Sequence, residues 1–194
     1  MSKEVTDAIM HDLRRCSRGV VLANNLRIMP NARFSLGMLT TRFIDVNYNN
    51  IQGKYEIALQ AQPFYQNGQT VQYLPWASNT GAYICLHNTP SVFFTDKLTG
   101  CFLAFDAREH TPTICHLNFM DYNDQEKDET IKTFSQWHVL IPEDYLGDTT
   151  VFGVFNEVGR WEFFYQVQGH RYGTLLMSDR QNRYGTKSVT LGHI

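Results

Sequence analysis

Hydrophobic and polar residues alternate with a period of two along much of the chain, the pattern of strands with one buried face. The segment Thr40–Tyr48 shows this alternation most clearly. Further strands predicted from similar apolar runs are Lys54–Gln60, Val71–Leu74, Cys101–Asp106, Thr111–His116, Thr150–Phe155, Trp161–Gln168, Gly173–Met177 and Lys187–Leu191. Between the first two of these, Gln66-Asn67-Gly68-Gln69 is a strong turn signal that predicts their connection.

Helical periodicity occurs in two places. Ser2–Cys16 has apolar residues at helical spacing, and Asp124–Trp137 is a polar segment that directs Ile131 and Phe134 inward. Strands that outnumber helices predict an α/β fold, a β-sandwich of mostly antiparallel strands with flanking helices. A length of 194 residues predicts a single domain over residues 1–194.

Composition narrows the function classes. Hydrophobic residues make up 43% of the chain and the formal net charge is −2, so no broad nucleic-acid footprint is indicated. There is no run of about eighteen apolar residues, so we expect no membrane span. Met1–Arg18 is polar and lacks the pattern of a signal peptide, which favours a cytoplasmic protein, or one active in a target cell's cytosol, with reduced thiols.

The candidate chemistry lies in Leu98-Thr99-Gly100-Cys101 and in His116, fifteen residues after the cysteine. A cysteine with a histidine base is a nucleophile that attacks acyl carbons. Gly100 permits a close approach of backbone to a substrate carbonyl. Thr95, six residues before Cys101, is the candidate third member.

The hairpin register decides whether the cysteine and the histidine can meet. A four-residue loop at Ala107-Arg108-Glu109-His110 would pair Cys101 with His116 and Phe105 with Pro112. Directly opposed residues on one face have Cβ atoms about 4.5–5.5 Å apart, within reach of a thiol–imidazole hydrogen bond. A slip of one residue would place the two side chains on opposite faces.

Other interpretations of these residues stay open. Free cysteine often behaves as a small buried hydrophobe, so Cys101 could be a core residue. Cys85, His87 and Cys115 lack the spacing of a zinc site, and Cys115 and His116, adjacent on a strand, point to opposite faces. Cys115 is then a buried core thiol and His87 a surface residue. His138 is the substitute base, and Trp76 is expected in the core, with the rim of the site as the alternative.

A resemblance to a known family adds to these patterns. The residues that carry it are Tyr73-Leu74-Pro75-Trp76, Phe93-Phe94-Thr95, Leu98-Thr99-Gly100-Cys101 and Ile114-Cys115-His116-Leu117. This block resembles the Burkholderia lethal factor family of glutamine deamidase toxins, which is related in fold to the catalytic domain of cytotoxic necrotising factor. The family has a Leu-Ser-Gly-Cys motif, so Thr99 departs from it mildly. The interval from Cys101 to His116 is longer than in the family, which suggests a longer hairpin loop.

The resemblance implies a catalytic domain like that of cytotoxic necrotising factor and a chemistry for it. Cys101 would be the nucleophile and His116 its base, and Thr95 would orient the imidazole by its hydroxyl or its main-chain carbonyl. Backbone N–H groups around Gly100 and Cys101 would stabilise the oxyanion. It implies no metal and no cofactor. We expect a monomer that converts a glutamine of a host protein to glutamate.

Alternatives remain open for the target protein and for the class of reaction. Lethal factor acts on a DEAD-box translation-initiation helicase and necrotising factor on Rho-type GTPases. A transglutaminase or cysteine peptidase would use the same Cys/His pair, because transfer and deamidation share a thioester. A non-catalytic binding domain with Cys101 buried is the remaining alternative.

Overall fold

A computed structural model describes residues 20–21, 40–49, 54–60, 69–76, 81–106, 111–145, 147–167 and 171–193. The strands are β1 Val20–Val21, β2 Thr40–Asn49, β3 Lys54–Gln60, β4 Gln69–Leu74, β5 Gly81–Cys85, β6 Val92–Thr95, β7 Phe102–Asp106, β8 Thr113–Leu117, β9 His138–Leu140, β10 Thr149–Phe155, β11 Trp161–Val167, β12 Arg171–Gln181 and β13 Lys187–His193. One α-helix, α1, runs from Asp124 to Lys132. The predicted helix Ser2–Cys16 lies outside the described residues.

All of the described strands belong to one sheet, in the order β1-β3-β2-β4-β6-β10-β11-β12-β13-β9-β7-β8-β5. Most neighbours are antiparallel; β1 with β3, β4 with β6 and β9 with β13 are parallel. Strand β4 also contacts β5 and β8, so the sheet curls into a nearly closed barrel. The β-rich prediction is confirmed, whereas the two facing sheets of a sandwich are replaced by one continuous sheet.

Two local predictions need correction. β3 and β4 do not pair with each other, because β2 lies between them and pairs with both; the predicted turn at 66–68 is outside the described residues. Helix α1 ends at Lys132, five residues before Trp137, and a series of turns follows. Its start is fixed by a capping box, in which the Asn123 side chain accepts from the Glu126 N–H and the Glu126 side chain accepts from the Asn123 N–H.

Alternation along β7 and β8 separates two apolar layers. Leu103 and Phe105 of β7 face the barrel interior with Ile114 of β8. Phe102 and Ala104 face the other way and pack under α1, where Ile131 is fully buried. The predicted inward positions of the helix are confirmed, since Phe134 also packs on this second layer. In the part of the chain that the structure describes, no helix is long and apolar enough to cross a membrane.

Candidate active site

Cys101 lies at one end of the barrel, at the exit of a short turn. Leu98 is fully buried and pairs with Thr149: the Leu98 N–H donates to the Thr149 carbonyl at 2.7 Å, and the Thr149 N–H donates back at 3.1 Å. Thr99 and Gly100 are exposed, and Gly100 has φ +86°, a conformation that L side chains rarely adopt. The turn therefore delivers Cys101 into the interior immediately before β7, where it is 3% exposed.

The register of β7 and β8 differs by two residues from the predicted one. His116 lies opposite Leu103, and Phe105 lies opposite Ile114 rather than Pro112. The physical reason is Pro112, which has no N–H to give to the ladder, so that β8 begins at Thr113 and the connection is longer than four residues. A longer loop agrees with the wide interval between the cysteine and the histidine.

A shift of two residues preserves the face, since side chains alternate with a period of two. Cys101 belongs to the interior core cluster, and His116 shares the face of Ile114 in that cluster. The two are therefore diagonal neighbours on one face, a relation that separates residues by about 7–8 Å. Neither nitrogen of His116 makes a hydrogen bond to any described residue, so the predicted bond to Cys101 is not formed in this structure.

The thiol of Cys101 is protonated at neutral pH. Burial raises its pKa above the ordinary value of 9.0, and the charge of Asp96 raises it further. Interactions of the thiol with the backbone of Thr99 and the side chain of Trp76 partly oppose this increase in pKa. A thiolate nucleophile needs a depressed pKa, and the turn that carries Cys101 into the core has the opposite effect.

His116 is neutral at the same pH. It is 1% exposed, and burial lowers the pKa of the imidazole from 6.5 to about 4, an effect that the nearby backbone of Pro75 only partly offsets. A buried donor or acceptor without a partner costs about 1–3 kcal/mol. An uncharged imidazole without a well-formed hydrogen bond to a described residue can accept a proton from a thiol or bind a polar group that enters the site.

Thr95 does not hold the imidazole. Its hydroxyl donates to the Val151 carbonyl at 3.2 Å and accepts from the Val151 N–H at 3.1 Å, which ties the end of β6 to β10. Thr95 is fully buried, and His116 has no hydrogen-bond partner among the described residues. The hydroxyl is therefore used by β10 and does not orient the imidazole, and the alternative contact through the Thr95 main-chain carbonyl is not among the hydrogen bonds of the described residues.

Tyr145 is a member of the site that the sequence did not reveal. Its hydroxyl donates to the Cys101 carbonyl at 2.7 Å, and burial raises the pKa of this hydroxyl so that it stays protonated. Interactions of this hydroxyl with the backbone of Gly100 and Cys101 partly oppose the increase in its pKa. Nothing local in the sequence marks Tyr145, since it reaches the cysteine across 44 positions of chain.

Trp76 and Pro75 are near the two candidate catalytic residues: Trp76 interacts with Cys101, and the backbone of Pro75 interacts with His116. Trp76 is 40% exposed, so it belongs to the rim of the site and not to the core as expected. Its backbone N–H donates to Asp96 Oδ2 at 3.3 Å, and the Lys97 N–H donates to Asp96 Oδ1 at 2.8 Å. The Asp96 N–H in turn donates to the Leu74 carbonyl at 2.8 Å, so the rim segment is fixed to the end of β6.

The remaining candidates lie elsewhere. His138 is opposite Phe105, four residues along β7 from Cys101, which corresponds to about 13 Å at 3.3 Å per residue. Its Nε2 is 4.0 Å from Asp179 Oδ1. Exposed Cys85 and His87 are near the same far end. Cys115 is half-buried on the outer face, where burial raises its pKa to about 12. Within the described ranges, no three His, Cys, Asp or Glu side chains are grouped as metal ligands.

Comparison of the chain with protein-family models and with curated proteins finds no match.

Proposed function

We propose that this protein is a glutamine deamidase that uses Cys101 as its nucleophile and His116 as its base. The observation that carries the proposal is a buried, uncharged imidazole on the same interior face as a buried thiol. Neither of its nitrogens makes a hydrogen bond of ordinary geometry to a described residue, and only the Pro75 backbone interacts with it weakly. A purely structural histidine at 1% exposure would be expected to have a hydrogen-bond partner. The resemblance of the Leu98-Thr99-Gly100-Cys101 block to the lethal factor family supplies the choice of reaction.

In the proposed reaction, His116 takes the proton of the Cys101 thiol as the sulfur attacks the side-chain carboxamide of a glutamine. The S–C bond forms and the π electrons of the carbonyl move to its oxygen. Collapse of this intermediate expels ammonia, which takes its proton from His116. Water then attacks the thioester, and glutamate and the free thiol are released.

The initial protonation states suit this order of events. A thiol and a neutral imidazole hold the one proton that must move, and the shift of that proton to His116 generates thiolate and imidazolium only when substrate is bound. A substrate group that accepts a hydrogen bond from the His116 ring would also favour the protonated imidazole. We infer a host protein as substrate and the cytosol of a target cell as the place of action.

The test compares three forms of the protein in host-cell extract. Wild type and Cys115→Ser should release ammonia and convert one or very few glutamines to glutamate, as measured by mass spectrometry of extract proteins. Cys101→Ser should do neither, although the nearly isosteric change leaves the fold intact. The translation-initiation helicase and the Rho-type GTPases are the first substrates to inspect.

The outcomes separate the alternatives. Incorporation of an added primary amine in place of water would indicate a transglutaminase, and fragments without ammonia would indicate a peptidase. The burial and raised pKa of Cys101 favour one second candidate, a non-catalytic binding domain in which this thiol only fills the core. That candidate would be supported if neither wild type nor Cys101→Ser changes any extract protein and both bind the same partners.

A further inference from the structure

We propose that Tyr145 is a positioning residue that holds the main chain of Cys101 in the orientation from which its sulfur attacks. The inference rests on the proposed function, since it gives Tyr145 a part in the same nucleophilic attack. In this role Tyr145 acts through the Cys101 peptide and takes no part in bond making. The role goes beyond filling the core, in which the Tyr145 ring is buried.

A hydrogen bond between two buried residues carries the proposal. The Tyr145 hydroxyl donates to the Cys101 carbonyl at 2.7 Å, and the two residues are 5% and 3% exposed. Because both residues are nearly excluded from water, a solvent molecule cannot easily replace the hydroxyl if it is lost. The bond therefore fixes the peptide from which the Cys101 side chain, and with it the sulfur, projects.

The sequence explains why a side chain supplies this donor. The antiparallel register of β7 and β9 pairs Leu103 with Leu140. The same register, continued by two residues, sets Cys101 opposite Pro142. Proline has no N–H, so the ladder has no donor to give at that position. The chain leaves the sheet there in a short 3-10 helix that begins at Pro142, and this turn brings the Tyr145 hydroxyl to the Cys101 carbonyl instead.

The 3-10 helix that presents Tyr145 is itself fixed. The Asp144 N–H donates to the Ile141 carbonyl at 3.0 Å, and Ile141 is buried in the second apolar layer. Glu143 forms an ion pair with Arg183 from the turn between β12 and β13. The hydroxyl is thus in place before a substrate arrives, and a nucleophile that is already oriented needs less rearrangement to attack.

Tyr145→Phe removes the hydroxyl and keeps the buried ring, and two measurements on this variant separate the position of the thiol from its reactivity. Ammonia release from host-cell extract requires the sulfur in one place against the substrate. Alkylation by iodoacetamide, followed by mass spectrometry of the Cys101 peptide, requires only that a small reagent reaches the thiol. Alkylation of Cys115, on the outer face of β8, is measured in the same sample and reports general unfolding.

The two measurements should change in opposite directions in Tyr145→Phe. Ammonia release should fall by about 10- to 100-fold, the effect of a displacement of up to about 1 Å at a reacting atom. Alkylation of Cys101 should rise by about 3- to 10-fold relative to Cys115, because the loss of one hydrogen bond favours local opening. The matched control is Tyr184→Phe, which removes another buried tyrosine hydroxyl, the acceptor of a hydrogen bond from Arg183, and should leave both measurements unchanged.

Equal ammonia release from Tyr145→Phe and Tyr184→Phe would overturn the proposal. A parallel decrease of ammonia release and of Cys101 alkylation would also overturn it, because the hydroxyl would then act on the reactivity of the thiol. Equal increases of alkylation at Cys101 and Cys115 would show general unfolding and would remove the case for a positioning role. Failure of the proposed function looks different: wild type would release no ammonia, while alkylation of Cys101 would still rise in Tyr145→Phe.

Discussion

At the scale of single residues, burial decides the chemistry of this site more than charge does. Cys101 and His116 are both almost fully buried, and desolvation is the largest influence on each pKa, raising one and lowering the other. The sequence indicates which residue types are available. It does not indicate that both would be uncharged, because that depends on the layer of the fold in which each is placed.

The buried imidazole predicts a pH dependence of stability. The folded state disfavours the protonated ring, so the contribution of His116 is fully present above pH 6.5 and is lost as the pH falls toward 4. At 1.36 kcal/mol per pKa unit, a decrease from 6.5 to about 4 corresponds to about 3 kcal/mol.

Urea unfolding of wild type and His116→Gln between pH 7 and pH 4 measures this contribution. The free energy of unfolding of wild type should decrease more steeply with falling pH than that of the variant. The exposed His87→Gln should behave as wild type. Parallel curves for wild type and His116→Gln would show that the imidazole is not buried in its neutral form.

The Thr95 hydroxyl is predicted to matter for stability more than for catalysis. Thr95→Val leaves the N–H and carbonyl of Val151 without this buried partner, which should cost about 1–3 kcal/mol of unfolding free energy. Thr149→Val is the matched control, because the Thr149 hydroxyl is buried without a partner in the described part of the chain and its removal should cost little. Denaturant unfolding of both variants checks the ranking, and equal losses would contradict it.

At the scale of elements, alternation and turn residues predict most of the strand bounds, and proline and long-range pairing explain the errors. β3 was predicted with its correct ends, whereas β12 extends well beyond Gly173–Met177. The hairpin register was displaced because Pro112 delays the start of β8. Cys101 and His116 still lie on the same face of the sheet, as predicted, because the register shift is an even number of residues.

The turn before the nucleophile gives an element-scale prediction. Gly100 and Gly159 both have positive φ, +86° and +79°, and a Cβ on either would meet no atom within 4 Å. Substitution by alanine should therefore cost each about 1–2 kcal/mol through backbone strain alone.

The two glycines differ in what they position. Gly100→Ala should also reduce the rate of glutamine deamidation, because it displaces the turn that delivers Cys101, whereas Gly159→Ala in the β10–β11 hairpin should not. Thermal unfolding and ammonia release measure the two effects separately. An equal effect of both variants on the rate would mean that the turn at Gly100 does not position the nucleophile.

At the scale of the whole molecule, the curl of the sheet assembles the site. Contact of β4 with β5 and β8 places Pro75 and Trp76 beside residues of β7 and β8 that are remote from them in sequence. No local pattern states which strands become neighbours, so Asp96 and Tyr145 could not be assigned to the site from the sequence, and the rim position of Trp76 was only an alternative to a place in the core. The Cys101 motif and His116 could be, because a single hairpin brings them together.

Substitution of Gln72 in β4 tests whether the closure of the barrel contributes to stability. Its side-chain amide donates to the carbonyls of His87 at 2.7 Å and Pro90 at 2.5 Å and accepts from the His87 N–H at 2.8 Å. Gln72→Leu should lower the free energy of unfolding by about 1–3 kcal/mol. Gln72→Glu should lose more than Gln72→Leu, because a carboxylate oxygen would replace the donating NH2 opposite the two carbonyls at a fully buried position. Denaturant unfolding that gives the reverse order would show that this clamp does not stabilise the barrel.

The central claim is that Cys101 and His116 act as one catalytic unit, and a double-mutant cycle on ammonia release from host-cell extract tests it most directly. Residues that act as a unit have grossly non-additive effects. Cys101→Ser and His116→Gln should each remove nearly all deamidation, and the double variant should be no worse than either. Full activity in Cys101→Ser, or two losses that multiply in the double variant, would contradict the account.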